Sequence, residues 1–241
     1  MVTLNKMDNF PLELIYLISR NNIKNCKLVN KKFRQAIRKY ATVIKTPEDK
    51  FPEILDRRVS DALFIEFCVC NYYDFVKNNI KHNNPGANDN WAIYLASTEG
   101  HVKIVKLLLA DPRVDPSAFR NYSIYSAVGK GHIKVVKLLL ADPRVDPSAD
   151  KNYSIYAAAR NGHTEIVKLL LEDPRVNPGD DSNRSIISAV MNGHEKVVKL
   201  LLADPRVDLS VCYGKIMKSA LKKGHTEIVE SLKAAYSRGQ N

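Results

Sequence analysis

Gly131-His132-Ile133-Lys134-Val135-Val136-Lys137-Leu138-Leu139-Leu140-Ala141-Asp142-Pro143-Arg144-Val145-Asp146-Pro147-Ser148 decides how this chain folds. The stretch returns with small changes from Gly100, Gly162 and Gly193, and its first half returns from Gly224. Each of the five Gly-His pairs, ending at His101, His132, His163, His194 and His225, starts 31 residues after the one before. A fixed period of this size means one supersecondary unit stacked on copies of itself. Such a stack offers an extended surface and no enclosed pocket, which points to binding before chemistry.

Within one unit the local rules are plain. Asn121 can cap a first helix over Tyr122 to Lys130, because its side-chain oxygen can accept an orphan backbone N–H. Gly131 ends that helix, since the left-handed residue after a helix strongly favours glycine. A second helix over Ile133 to Ala141 carries Val135, Val136, Leu138, Leu139 and Leu140, spaced for one buried face, with Lys134 and Lys137 on the wet side. Asp142-Pro143 stops it, because proline lacks an N–H and pushes the residue before it out of the helical region. Pro112, Pro174 and Pro205 repeat the stop. Two short helices cannot bury their own apolar face, so neighbouring units must cover it.

The unit resembles the ankyrin repeat. The resemblance rests on GHxxIVKLLL, in Gly100–Leu109, Gly131–Leu140, Gly162–Leu171 and Gly193–Leu202, and on Ala96, Ala127, Ala158, Ala189 and Ala220, five residues before each His. It implies an all-α fold, a solenoid of paired antiparallel helices, and a protein–protein interaction role on a concave face. In the family the Gly-His histidine is expected to hydrogen-bond locally and fix its loop. The family usually runs 33 residues per repeat with a T-P-L-H start to the first helix. Here those slots read Trp91–Tyr94, Tyr122–Tyr125, Tyr153–Tyr156, Arg184–Ile187 and Lys215–Lys218, so aromatic side chains fill much of the lost space. The shorter period tightens the connecting finger into a turn instead of a hairpin. With its DPRVDPS connections, the repeat looks like those of large amoeba-infecting DNA viruses.

Residues 89–241 hold five such repeats. In the last, Ser231 and Lys233 replace leucines of the second helix, as a polar-faced terminal cap requires. Residues 51–88 read as a degenerate leading repeat, with an apolar helix over Ala62 to Cys70 and a second over Tyr73 to Ile80. Residues 1–50 do not repeat. Phe10-Pro11-Leu12-Glu13-Leu14 and Leu28-Val29-Asn30-Lys31-Lys32-Phe33-Arg34 are similar to an F-box, with a shortened middle. That resemblance implies docking to a Skp-type adaptor of a cullin–RING ubiquitin ligase through Pro11, Leu14, Ile18, Leu28, Val29 and Phe33. The alternative is a helical cap on the array.

The chain carries a net charge of +11, of which residues 1–50 supply +7. The basic run from Lys24 to Lys39 could meet phosphates, but it is also the wet side of an amphipathic helix, and no nucleic-acid motif accompanies it. The four cysteines, Cys26, Cys68, Cys70 and Cys212, form no zinc pattern. With no leader or membrane-spanning run in the sequence, a reduced intracellular setting is expected, and by the viral resemblance a host cytoplasm. No phosphate loop, catalytic triad or carboxylate pair stands out, so neither an enzyme nor a cofactor or metal protein is expected. The periodic histidines stand one per repeat, too far apart to share an ion.

The informative positions are those that fail to repeat. At the connection tips these include Phe119, Arg120, Asp150, Lys151, Asp181 and Tyr213; just before the Gly-His pairs they include Glu99, Lys130, Arg160 and Met191. In ankyrin arrays both sets line the concave side, and they are the candidate contacts to a protein partner of a monomeric array. Phe119, Arg120, Met191 and Tyr213 are expected to be exposed anchors, being of types enriched at interfaces. The aromatic residues of the T-P-L-H slots are read as packing between repeats. The rows of Arg113, Arg144, Arg175 and Arg206 beside Asp111, Asp142, Asp173 and Asp204 are read as turn geometry and solubility, since exposed pairs contribute little.

Overall fold

The computed structural model describes residues 61–238, and all of its regular structure there is helical. A leading pair, α1 (Asp61–Val69) and α2 (Tyr73–Asn79), is followed by five more pairs. These are α3 (Ala87–Thr98) with α4 (Val102–Leu109), α5 (Ala118–Gly129) with α6 (Ile133–Leu140), and α7 (Ala149–Asn161) with α8 (Thr164–Leu171). Then come α9 (Asp180–Met191) with α10 (Glu195–Leu202) and α11 (Tyr213–Lys223) with α12 (Thr226–Arg238). First helices stack on first helices and second on second, and the first-helix layer is the more intimately packed. The residues of the F-box-like segment and of the basic run Lys24–Lys39 lie outside the described residues.

Burial follows the second-helix pattern read from the sequence in part, since Leu138 and Leu140 are only half-buried. Val135, Val136 and Leu139 are fully buried, as are Ile104, Val105 and Leu108, while Lys106, Lys137, Lys168 and Lys199 are exposed. Each such aliphatic side chain contributes about 1.5–3 kcal/mol on leaving water. From the first helices come Ile93, Ile124, Ile155 and Ile186 with the alanines before each Gly-His pair, all without exposed surface. The small alanine side chain lets the two helices of a pair approach closely. The connection valines Val114, Val145 and Val176 are also buried, so the turn itself plugs the core.

The connection is a turn and not a hairpin, but of an unforeseen kind. Asn88-Asp89-Asn90, Phe119-Arg120-Asn121, Asp150-Lys151-Asn152 and Asp181-Ser182-Asn183 each run three residues in the left-handed region, with φ between 49° and 66°. One left-handed turn therefore opens each of α3, α5, α7 and α9. It corrects the expectation for Asn121. That residue does not cap its own helix; its Oδ1 accepts the Asp146 N–H of the next connection at 2.9 Å. Asn90 and Asn152 do the same for Asp115 and Asn177, at 2.7 Å each, and Asn183 donates to the Asp208 carbonyl. Asparagine is among the few residues that visit this region readily, because its short amide bonds locally.

Two further fastenings recur at every full junction. The histidine after each glycine reaches back one repeat, not into its own loop. His101, His132, His163 and His194 place Nε2 on the carbonyls of Val69, Thr98, Gly129 and Arg160, at 2.7, 3.0, 3.2 and 2.9 Å. Those carbonyls close the preceding first helix, where backbone acceptors have no partner of their own. The arginine row is likewise structural. Arg144 is held by Asp142 at 2.6 Å and donates Nη1 to the Val114 carbonyl at 2.7 Å and Nη2 to that of Leu109, the last residue of α4, at 3.0 Å. Arg113, Arg175 and Arg206 repeat the arrangement one repeat at a time. A cation at a helix C-terminus also opposes the helix dipole.

The last junction differs. His225 Nε2 is buried without a partner, and Lys223 Nζ instead reaches the Met191 carbonyl at 2.5 Å. Repeat five has no left-handed triplet: Cys212 has φ −127° after a short 3-10 turn at Leu209–Val211, and Gly214 stands where asparagine stood. Ser231 and Lys233 take the leucine positions of α12, and Lys233 is exposed.

Candidate functional site

The first-helix layer presents three parallel features across the array. At the N-terminal ends of α3, α5, α7 and α9 sits the left-handed turn. It displays Phe119 and Arg120, then Asp150 and Lys151, then Asp181 and Ser182, all exposed. At the C-terminal end lie Glu99, Lys130, Arg160 and Met191, also exposed. At 1.5 Å per residue the two rows stand roughly 15 Å apart. Phe119 keeps 48% of its surface in solvent and Met191 43%. Tyr213 does not: it is half-buried, its ring stacked on Tyr236 at 3.9 Å, so it belongs to the packing of repeat five and is no open anchor.

Between the rows runs an aromatic ladder. Successive ring centroids are 5.3 Å from Trp91 to Tyr94, 5.9 Å to Tyr122, 6.1 Å to Tyr125, 5.2 Å to Tyr153 and 5.4 Å to Tyr156. These are the separations at which aromatic pairs attract. The Arg184 guanidinium ends the ladder, 3.8 Å over the Tyr156 ring. Tyr125 and Tyr156 are buried, as the reading of these residues as packing expects, but Tyr122 is 53% exposed. Burial pushes the Tyr125 phenol well above its ordinary value, with Asp150 and Asp146 adding to the effect. Burial works the same way at Tyr156, but hydrogen bonds from Arg160 and Arg184, and their charges, outweigh it and hold that phenol low.

The second-helix layer contrasts with this variety, repeating the same lysine on four successive helices, at Lys106, Lys137, Lys168 and Lys199. Among the described residues no group of three His, Cys, Asp or Glu could hold a metal ion, and no helix is long and apolar enough to cross a membrane. Cys68 and Cys212 are buried, which raises both thiols and removes them from chemistry at the surface.

A family model described as ankyrin repeats (3 copies) matches residues 63–151, 124–211 and 155–240. The chain belongs to the ankyrin-repeat family. Among solved structures, the ankyrin repeat domain of Acinetobacter baumannii AYE, a crystal structure at 1.00 Å, is similar with a TM-score of 0.58 and 19% identity. The match covers 72% of this chain and 97% of that one, and at this identity it speaks for the fold alone. No curated protein matches the sequence. Ankyrin repeats are generally protein–protein interaction modules and typically non-enzymatic scaffolds. In this ankyrin array the sequence signal for the ladder was visible as aromatics in the T-P-L-H slots. For the left-handed turns it was only the asparagine recurring at positions 90, 121, 152 and 183.

Proposed function

We propose that the array binds a protein partner across its first-helix layer, the concave side in this family. The observation that carries the reading is the contrast between layers. One displays the same lysine on four successive helices; the other changes its exposed turn from Phe119-Arg120 to Asp150-Lys151 to Asp181-Ser182 while the fastenings beneath stay fixed. The closer packing of the first helices supports curvature toward that layer, and Phe119, Arg120, Arg160 and Met191 supply apolar and guanidinium groups of the types enriched at interfaces, with the Lys130 ammonium beside them. Asp150, Lys151, Asp181 and Glu99 form its charged rim. Cys68 and Cys212 are free thiols, in keeping with a reducing cytoplasmic setting.

The test is a triple variant, Phe119→Ser, Arg120→Glu and Met191→Ser, compared with Lys106→Glu, Lys137→Glu on the opposite layer. Partners captured by the full chain should bind the triple variant at least tenfold more weakly, with melting unchanged, and the lysine variant normally. Equal retention by both variants overturns the reading.

The two N-terminal sequence blocks favour a second, compatible role as an F-box-like substrate adaptor. In this role Pro11, Leu14, Ile18, Leu28, Val29 and Phe33 would dock a Skp-type subunit while the repeats hold the target. Leu28→Asp with Phe33→Asp should remove binding to purified Skp-type adaptor and leave the array's melting transition in place. Undiminished binding, or none by the parent chain, sinks this role.

A further inference from the structure

The aromatic ladder exceeds what packing between repeats asks of it. Burial accounts for Tyr125 and Tyr156, yet Tyr122 is mostly in solvent, and Trp91, Tyr94 and Tyr153 are only half-covered. Ring surface is thus offered along the array across three first helices, α3, α5 and α7. The strip ends at two exposed cations, Arg184 over the Tyr156 ring and Arg160, whose Nη1 lies 3.3 Å from the Tyr156 hydroxyl. Arg184 touches Asp181 at only 3.5 Å, a loose contact that leaves its charge available.

We infer that this strip receives a proline-rich segment of the partner in the polyproline II conformation, with an acidic residue at the Arg160–Arg184 end; the inference rests on the first-helix layer being the binding face. The geometry is commensurate. Polyproline II advances about 3.1 Å per residue with three residues per turn, hence about 9.3 Å per turn. Packed helices stand about 8–10 Å apart, and each first helix from α3 to α7 brings one aromatic pair. A proline at every third position therefore meets the next rung without the strand having to bend or stretch, and three repeats accommodate about nine residues. The chemistry agrees as well. A tyrosine gives a flat apolar face to a pyrrolidine ring and a hydroxyl to a neighbouring carbonyl, and the polyproline II backbone has carbonyls with no internal partner. The segment is ordered before it binds, so little conformational entropy is lost.

Single-stranded nucleic acid also stacks on aromatic rows, but it needs a cationic track beside them. The turns flanking this strip carry Asp89, Asp150 and Asp181 as well as Arg120 and Lys151, a mixed set unsuited to a run of phosphates. The charge is concentrated at one end, which suits a peptide with an acidic flank.

The experiment titrates the full chain into a fluorescein-labelled peptide of nine prolines with two glutamates at each end and follows anisotropy. Saturable binding is expected, weakened at least tenfold by Tyr122→Ala and by Arg184→Gln, and unaltered by Lys137→Ala. Tyr122 is exposed enough that its removal should leave the melting transition intact, which a thermal scan checks. Absence of saturable binding, or binding that Tyr122→Ala does not change, overturns the inference. So does tighter binding of a ten-nucleotide oligo(dT) that Tyr122→Ala abolishes, which gives the strip to bases. If partner capture depends on Phe119, Arg120 and Met191 but not on Tyr122, the proline-rich segment falls while the wider binding face stands.

Discussion

Gly162→Ala will lower the melting temperature of the array by roughly 4–12 °C, the shift expected for about 2–3 kcal/mol in a domain of this size. Two terms combine. Gly162 has φ +74°, a region that costs a residue with a Cβ about 1–2 kcal/mol. The added methyl would also stand 2.6 Å from His194 Nδ1, so the ring must move and release the Arg160 carbonyl it holds at 2.9 Å, at a net cost of about 1 kcal/mol. The control is built into the molecule. Gly224 has nearly the same φ, +71°, but nothing lies within 4 Å of its missing Cβ, so no histidine ring meets it. Gly224→Ala should therefore show the backbone term alone, about half to two-thirds of the effect. Adding His194→Ala to Gly162→Ala removes the collision, so the double variant should be no less stable than Gly162→Ala. If the two effects simply add, the two side chains do not meet as described.

Arg144→Ala is expected to cost about 2 kcal/mol. Hydrogen bonds from a charged donor contribute about 1.5–3 kcal/mol each. Arg144 makes two to the preceding repeat, and the figure is reduced because its side chain is 38% exposed. The same fastenings make the array sensitive to acid. In Asp111, Asp142, Asp173 and Asp204 the side-chain hydrogen bond from the arginine two residues on is the largest influence, and each carboxyl is held below its ordinary value despite partial burial. A carboxyl with a depressed folded pKa lends stability that is fully present above its unfolded value near about 4 and is lost as pH falls through the folded one. Melting temperature should thus be level near neutrality and decline below about pH 4. Asp142→Asn should make that decline shallower by removing one of the four groups. A decline of equal steepness in that variant would show that other carboxyls govern acid unfolding.

What could be read from the residues was whatever depends on neighbours a few places away. Leu139 faces the core because Val135 and Val136 lie on the same stripe of one helix. Gly131 ends a helix and Pro143 stops one by rules confined to a single turn. The fastenings escaped because their partners lie 25 to 35 residues away. Arg144 on the carbonyl of Leu109, His132 on that of Thr98 and Asn121 on the N–H of Asp146 look like a charged turn, a loop histidine and a helix cap when only the local text is read. The left-handed turns were hidden for another reason. Phe119 and Arg120 are residues that avoid positive φ, and only the recurring asparagine behind them betrayed the conformation. The same limit misplaced Tyr213, whose partner Tyr236 lies on the following helix. The exposed pattern of Phe119, Arg120, Lys151 and Met191 was legible because variation within a periodic text is visible without any contact.

Repeat five, with Gly214 in place of the asparagine and its left-handed turn gone, has a consequence for the life of the molecule in a crowded solution. Every earlier junction is head-to-tail, and a head-to-tail contact that does not close into a ring propagates without limit. Had repeat five kept the turn, the asparagine and the leucines now replaced by Ser231 and Lys233, its far side would match the side on which each earlier unit receives its successor. The leading face of a second molecule could then seat there, and copies would string into a fibre. Without that turn and its asparagine, repeat five offers a second copy a poorer seat than any earlier unit offers its successor, and the contact that would string copies together is weakened at that face.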